Sequence, residues 1–199
     1  MQGTTTNDLR NIIANISANL RRNDVVAEIQ YRLKDPYSTL KKMVRKNITV
    51  TELTDLIGLR IIVNKQYDCY KLLITLYNTY SVKMGKTKDY IANPKDNGYR
   101  SLHLIVMADI CDRNIEIQIR TRTMHDIAES GTANHEEYKK TLEEKLRKLF
   151  YEERLNTVAI NTEINNAYDI FNQFNWTISE LISYEQAIEN LWHKFQNNS

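Results

Sequence analysis

The chain has 199 residues, a length that suits one domain with helical extensions and buries roughly 70% of its unfolded surface. Its 27 Lys and Arg against 25 Asp and Glu leave a net charge of +2, which disfavours a polycation that coats nucleic acid. Two cysteines, five glycines and two prolines exclude a disulfide framework, a four-thiolate zinc site and a turn-dense all-β chain. No apolar run approaches the ~18 residues of a membrane span, and residues 1–9 lack the apolar core of a signal peptide. A soluble, cytoplasmic, mixed α/β protein with no membrane partner is therefore expected.

Residues 8–22 repeat Leu9, Ile12, Ile13, Ile16 and Leu20 at helical spacing behind Asp8, a capping residue. Val25 to Leu33 partly alternates, as a strand does. Pro36 suits the first turn of a helix whose apolar face continues through Tyr37, Leu40, Met43 and Val44. Leu56 to Val63 reads as a buried strand interrupted by Arg60, and Tyr67 to Tyr80 as an amphipathic helix. Asp89 to Ala92 is a short strand candidate. The turn cluster Asn93 to Gly98 precedes two strands, 101–108 and 114–120, with a hairpin over 111–113. From Arg122 onward the pattern is helical: a charge-dense helix over 136–155 and two more over 157–195. Trp176 and Trp192 point to a role of the last two in assembly, against the plainer reading that they pack on the sheet.

The polar residues set among these strands carry the chemistry. Arg60 lies inside an apolar strand, and a buried guanidinium needs a partner. An ion pair with a nearby carboxylate such as Asp55 would satisfy it. Asp55 and Glu116, acids on separate strands, can together hold Mg²⁺ while substrate phosphates complete its shell, though either acid alone reads as an ordinary strand-end carboxylate. Glu116, Gln118 and Arg120 line one face of a strand whose other face is Ile115, Ile117 and Ile119, so that face is solvent or a site wall. The segment NPKDNGYRSLH combines a turn with Lys95, Asn97, Tyr99 and His103, which suits a nucleobase and its phosphates or simply a polar turn tip. Neither a Walker A loop nor a GxGxxG pattern is present, so phosphates would fall to side chains such as Arg32, Lys34, Lys41, Lys42, Arg45, Lys46, Lys86 and Lys88.

The stretches EIQYRLKDPYS, DLIGLRIIV, KTKDYIANPKDNGYRSLH and IEIQIRTRTMHDIAESGTANHEEYK occur in this order over roughly residues 25–140. Together they resemble the synthetase domain of the RelA/SpoT alarmone enzymes. The resemblance implies an α+β, nucleotidyltransferase-like fold: a mixed sheet of about five strands flanked by helices, with C-terminal helices. It implies transfer of pyrophosphate from ATP to the 3′-hydroxyl of GDP or GTP, with Mg²⁺ as cofactor. By the same resemblance, Arg32 and Arg60 would sandwich the adenine, and Lys34, Lys42 and Arg45 would contact the ATP phosphates. Asp55 would ligate Mg²⁺, with Glu116 as the second acid beside the acceptor hydroxyl. Tyr99 would stack on guanine, and Lys88, Lys95, Asn97, His103, Gln118 and Arg120 would line the acceptor nucleotide.

The implied organisation is an N-terminal helix over 1–24, a synthetase domain over 25–140 and a helical extension over 141–199 that can carry a homo-oligomer. The 24 residues ahead of Val25 are too few for the hydrolase domain of long members, so a stand-alone form is expected. His125-Asp126 is an HD dipeptide without enough partner histidines for a hydrolase metal site and reads as scaffold or substrate contact. The sequence departs from the family at Tyr31, where Gly is common before the arginine, and at Glu136, where long members carry Trp. Toxin-type relatives that modify the tRNA 3′ end or adenosine nucleotides are the alternative, with the Lys139, Lys140, Lys145, Arg147 and Lys148 stretch as the basic patch it needs. Lys86 and Lys88, in a basic loop, predict that GTP serves at least as well as GDP and that GMP serves worst.

Overall fold

A computed structural model describes residues 8–108, 113–130, 166–167, 169–170 and 178–196. They fall into two compact units, the first within Met1–Arg32 and Thr54–Ala133, the second within Leu33–Leu53 and Asn134–Ser199.

The first unit is organised by a mixed sheet. The elements in chain order are α1 (Asp8–Arg22), β1 (Ala27–Leu33), α2 (Pro36–Lys46), β2 (Ile57–Val63), α3 (Gln66–Thr79), a 3₁₀ turn (Met84–Lys86), β3 (Lys88–Asp89), β4 (Leu102–Ala108), β5 (Arg113–Thr121), α4 (Arg122–Ser130) and α5 (Ile178–Gln196). The five strands stand in the order β1-β2-β5-β4-β3. β2 pairs parallel with β5, whereas β4 pairs antiparallel with both β5 and β3.

The register explains why β2 is nearly uniform in hydrophobicity. Leu59 pairs with Ile117, and Ile117 with Leu104, so one face of the central strands is aliphatic. Cys69, Leu72 and Leu76 of α3 are buried with that face, and α3 contacts β5 and β2. Every residue of β2 is buried except Arg60, as expected of a central parallel strand covered on both faces. Cys69 is fully buried, and burial with the Asp68 charge pushes its thiol up to about 12. Because the thiolate is the reactive form, Cys69 should stay unmodified by iodoacetamide at pH 8 in the native protein and react after denaturation. Peptide mass spectrometry checks this; native labelling of Cys69 would contradict the packing.

Two boundaries differ from the sequence expectation by two residues or more. β1 starts at Ala27 rather than Val25, because Asp24 adopts φ 53° and the Val25 N–H returns to the Leu20 carbonyl at 2.9 Å, closing α1. β3 ends at Asp89, not Ala92. The Asp89 Oδ1 accepts the N–H groups of Ile91 and Ala92 at 2.9 and 2.8 Å, so the chain turns where the strand was expected to run.

In the second unit α2 begins as its sequence indicates. Asp35 accepts the Ser38 N–H at 2.9 Å, and Pro36 fills the first turn. Asn47 closes the helix in the left-handed conformation, φ 51° and ψ 52°. α5 packs against α2. The buried Tyr184 hydroxyl donates to the Lys34 carbonyl at 2.6 Å and meets Thr39 Oγ1 at 3.2 Å, and Glu189 accepts the Val50 N–H at 3.0 Å. Trp192 is buried, which fits the reading in which this helix packs within the chain. Residues 109–112, the helix expected over 136–155, Trp176 and the basic stretch 139–148 lie outside the described residues. No described helix is long and apolar enough to cross a membrane.

Candidate active site

The sheet face opposite α3 is polar. Strand pairing puts Gly58 beside Glu116 and Arg60 beside Gln118, with His103 opposite Gln118 on the other side and Lys88 opposite His103. Directly paired residues share a face. Arg32 joins it from β1: a Cβ placed on Gly58 would lie 3.5 Å from the Arg32 Cγ, so the arginine stem runs over that glycine. One face therefore carries Arg32, Arg60, Lys88, His103, Glu116, Gln118 and Arg120.

Glu116 lies near the middle of this face, with both carboxylate oxygens engaged. Oε1 meets His103 Nδ1 at 3.1 Å, and Oε2 accepts Gln118 Nε2 at 2.8 Å. Burial pushes the carboxyl up. The His103 hydrogen bond and charge, together with the Gln118 amide, outweigh it, and Glu116 is held below the usual carboxylate range. Asp55, three residues ahead of Gly58, is near enough for its charge to oppose this lowering.

His103 continues the chain outward. Its Nε2 lies 2.8 Å from the Tyr99 hydroxyl. Tyr90, Tyr99 and His103 form an edge-to-face trio with centroids 5.3 to 6.1 Å apart. The Lys95 ammonium sits 4.6 Å from the Tyr90 ring centre and 5.1 Å from that of Tyr99. The turn that presents Tyr99 is closed by Gly98 N–H to the Lys95 carbonyl at 2.8 Å, with Gly98 at φ 75°. Asn97 Oδ1 accepts the Tyr99 N–H at 3.2 Å. With both ring nitrogens used inside the protein, His103 orients neighbours rather than offering a free hydrogen bond.

The far side of the face is closed by α4. Arg60 pairs with Glu129 at 3.2 Å and donates to Gln30 Oε1 at 3.3 Å. Arg120, 1% exposed, reaches the same Glu129 at 3.1 Å and His125 Nδ1 at 2.7 Å. Arginine can only donate, so His125 Nδ1 accepts and its imidazole is neutral. Burial, then the Arg120 charge, lowers the His125 pKa in agreement. His125 is thus scaffold for Arg120. Arg122, at the start of α4, pairs with Glu28 of β1.

The structure brings Arg32, Arg60, Lys88, Lys95, Asn97, Tyr99, His103, Glu116, Gln118 and Arg120 into the first unit, with Asp55 ahead of β2. Lys34, Lys42 and Arg45 belong to the second. Tyr90 and Glu129 were not expected. Tyr90 follows the Lys88-Asp89 pair, and Glu129 stands four residues after His125 on a helix, the only hint sequence offered. Among the described residues no three His, Cys, Asp or Glu side chains converge on one metal position. Two nearby acids suit an ion that keeps water and phosphate ligands, which is how Mg²⁺ is commonly held.

A model of the region found in RelA / SpoT proteins matches residues 31–143, more than half of the chain. A GTP pyrophosphokinase of Brucella ovis is 40% identical over 131 residues, 66% of this chain and 17% of that protein. A probable chloroplastic GTP diphosphokinase of Arabidopsis thaliana is 49% identical over 108 residues, 54% of this chain and 15% of that protein. The chain thus spans about a sixth of the length of these curated relatives. The crystal structure of small alarmone synthetase 2 from Bacillus subtilis superposes with a TM-score of 0.56 at 30% identity, covering 68% of this chain and 76% of that one. The mixed five-stranded sheet, the motif order read from the sequence and the matched region agree, and the chain belongs to the RelA/SpoT family.

Proposed function

We propose that this chain transfers the terminal diphosphate of ATP to the 3′-hydroxyl of GDP or GTP. The 3′-oxygen forms a bond to the β-phosphorus, the bond between that phosphorus and the α-bridging oxygen breaks, AMP leaves, and the hydroxyl proton passes to Glu116. The observation that carries this reading is Glu116, held ionised on a cation-lined sheet face and tied through His103 to Tyr99.

Each neighbour has work suited to its chemistry. Gln118 and His103 fix the two oxygens of Glu116, so the carboxylate meets the acceptor hydroxyl already oriented. Tyr99 and Lys95 form a stacking and charged edge for a purine nucleotide. Arg32 and Arg60, whose guanidinium planes stack well on bases, serve the adenine. Mg²⁺, bound by Asp55 with the substrate phosphates, would neutralise charge developing on them. The GTP pyrophosphokinase named among the relatives supports this substrate class.

Incubating the chain with β-³²P-labelled ATP and GMP, GDP, GTP or tRNA tests the reading. Label should appear on GTP at least as fast as on GDP, with GMP slowest, since Lys86 and Lys88 are exposed cations and Lys88 stands opposite His103. Label on tRNA alone would overturn the reading.

Tyr99→Ala should raise the acceptor KM by roughly fivefold or more, from a stacking loss of about 1–3 kcal/mol. The ATP KM should stay within about twofold. Equal changes in both would remove Tyr99 from the acceptor side.

A further inference from the structure

Arg60 and Arg120 come from neighbouring strands and meet at the same carboxylate oxygen, Oε1 of Glu129, Arg60 as an ion pair at 3.2 Å and Arg120 donating a hydrogen bond at 3.1 Å. Their charges are mutually unfavourable, because burial and then the Arg120 charge push Arg60 down. Arg120 is almost completely buried, and its other contact, His125, is neutral. Glu129 is half exposed and is the anion both guanidinium groups reach. One oxygen shared by two guanidinium groups means that fixing either arginine fixes the atom the other one pairs with.

We infer that Glu129 is a positioning residue that couples the two nucleotide subsites. This rests on the function proposed above, in which Arg60 serves the donor adenine while Arg120 stands on the acceptor strand beside Gln118. A nucleotide that orders Arg60 holds Glu129 where Arg120 already donates, and an acceptor nucleotide does the same from the other side. Such coupling is reciprocal by linkage and typically changes affinity by at least about fivefold.

The test measures GDP binding by isothermal titration with and without α,β-methylene-ATP, in the wild-type chain and in E129Q. In the wild type the analogue should tighten GDP binding by about fivefold or more. In E129Q that enhancement should disappear, both KM values should rise, and kcat at saturation should stay within about threefold, since the inference has Glu129 act through Arg60 and Arg120 and gives it no contact with the reacting atoms. E129D keeps the charge on a shorter stem and should restore part of the coupling; it also carries the comparison should E129Q fail to fold, as a weakened enhancement. Unchanged coupling in both variants overturns the inference while leaving the activity intact. A rise in only one KM also overturns it, because the residue would then serve one subsite. A wild-type chain that labels no guanosine nucleotide overturns the functional reading and the coupling with it.

Discussion

Replacing Glu116 by Gln should lower kcat by roughly 10²- to 10⁴-fold, the span ordinarily carried by a positioned proton acceptor. The variant keeps the shape of the side chain and removes its charge. The amide oxygen can still accept Gln118 Nε2 and its NH2 can donate to His103 Nδ1 in the tautomer that leaves this nitrogen unprotonated, so the sheet face should stay folded, and the melting temperature and the far-ultraviolet spectrum check that. Near-normal turnover would show that the hydroxyl proton goes elsewhere.

The pH profile adds a signed test of the same residue. Glu116 is pushed up by burial and brought below the usual range by the hydrogen bond and charge of His103, then by Gln118. A base whose pKa is depressed is ionised over a wider range, so the acid limb of kcat/KM should lie at low pH. His103→Asn removes the dominant lowering influence, and the limb should move to higher pH. A limb that does not move would mean that His103 fails to hold Glu116 in its ionised form.

Much of this arrangement was legible because strand alternation is a hard geometric rule. Ile115, Ile117 and Ile119 against Glu116, Gln118 and Arg120 put an apolar and a polar face on β5, and the register bears this out. Pro36 and Asp35 likewise announced α2. What escaped was contact between elements distant in sequence. Arg60 needs an anion, and Asp55 is the carboxylate near it in sequence. The acid it pairs with is Glu129, 69 residues on, placed there by the parallel β2–β5 pairing and the helix that follows β5. Tyr90 was read as part of a strand, because the side-chain turn at Asp89 that swings it toward Tyr99 and His103 depends on two backbone amides. The hydrogen-bonded line from Glu116 through His103 to Tyr99 combines a cross-strand diagonal with a turn, and neither is visible in a one-dimensional pattern.

Asp55→Asn should reduce turnover by about 10²-fold or more at saturating nucleotides, if Asp55 is the carboxylate that completes a Mg²⁺ shell. The Mg²⁺ concentration giving half-maximal residual rate should rise as well, since an amide is a weaker ligand for a hard cation than a carboxylate. The substitution has a second consequence with the opposite sign to that of His103→Asn. The Asp55 charge pushes Glu116 up, so removing it lets the Glu116 carboxyl titrate at still lower pH. Labelling glutamate side chains with ¹³C and following the Glu116 carboxyl resonance through an acid titration reads this directly, even where turnover is too slow for a kinetic profile. The resonance should shift its midpoint down in Asp55→Asn and up in His103→Asn. Midpoints that move together, or an Asp55→Asn variant with an unchanged Mg²⁺ requirement, would mean that the two acids do not share a metal and that Glu116 works without Asp55.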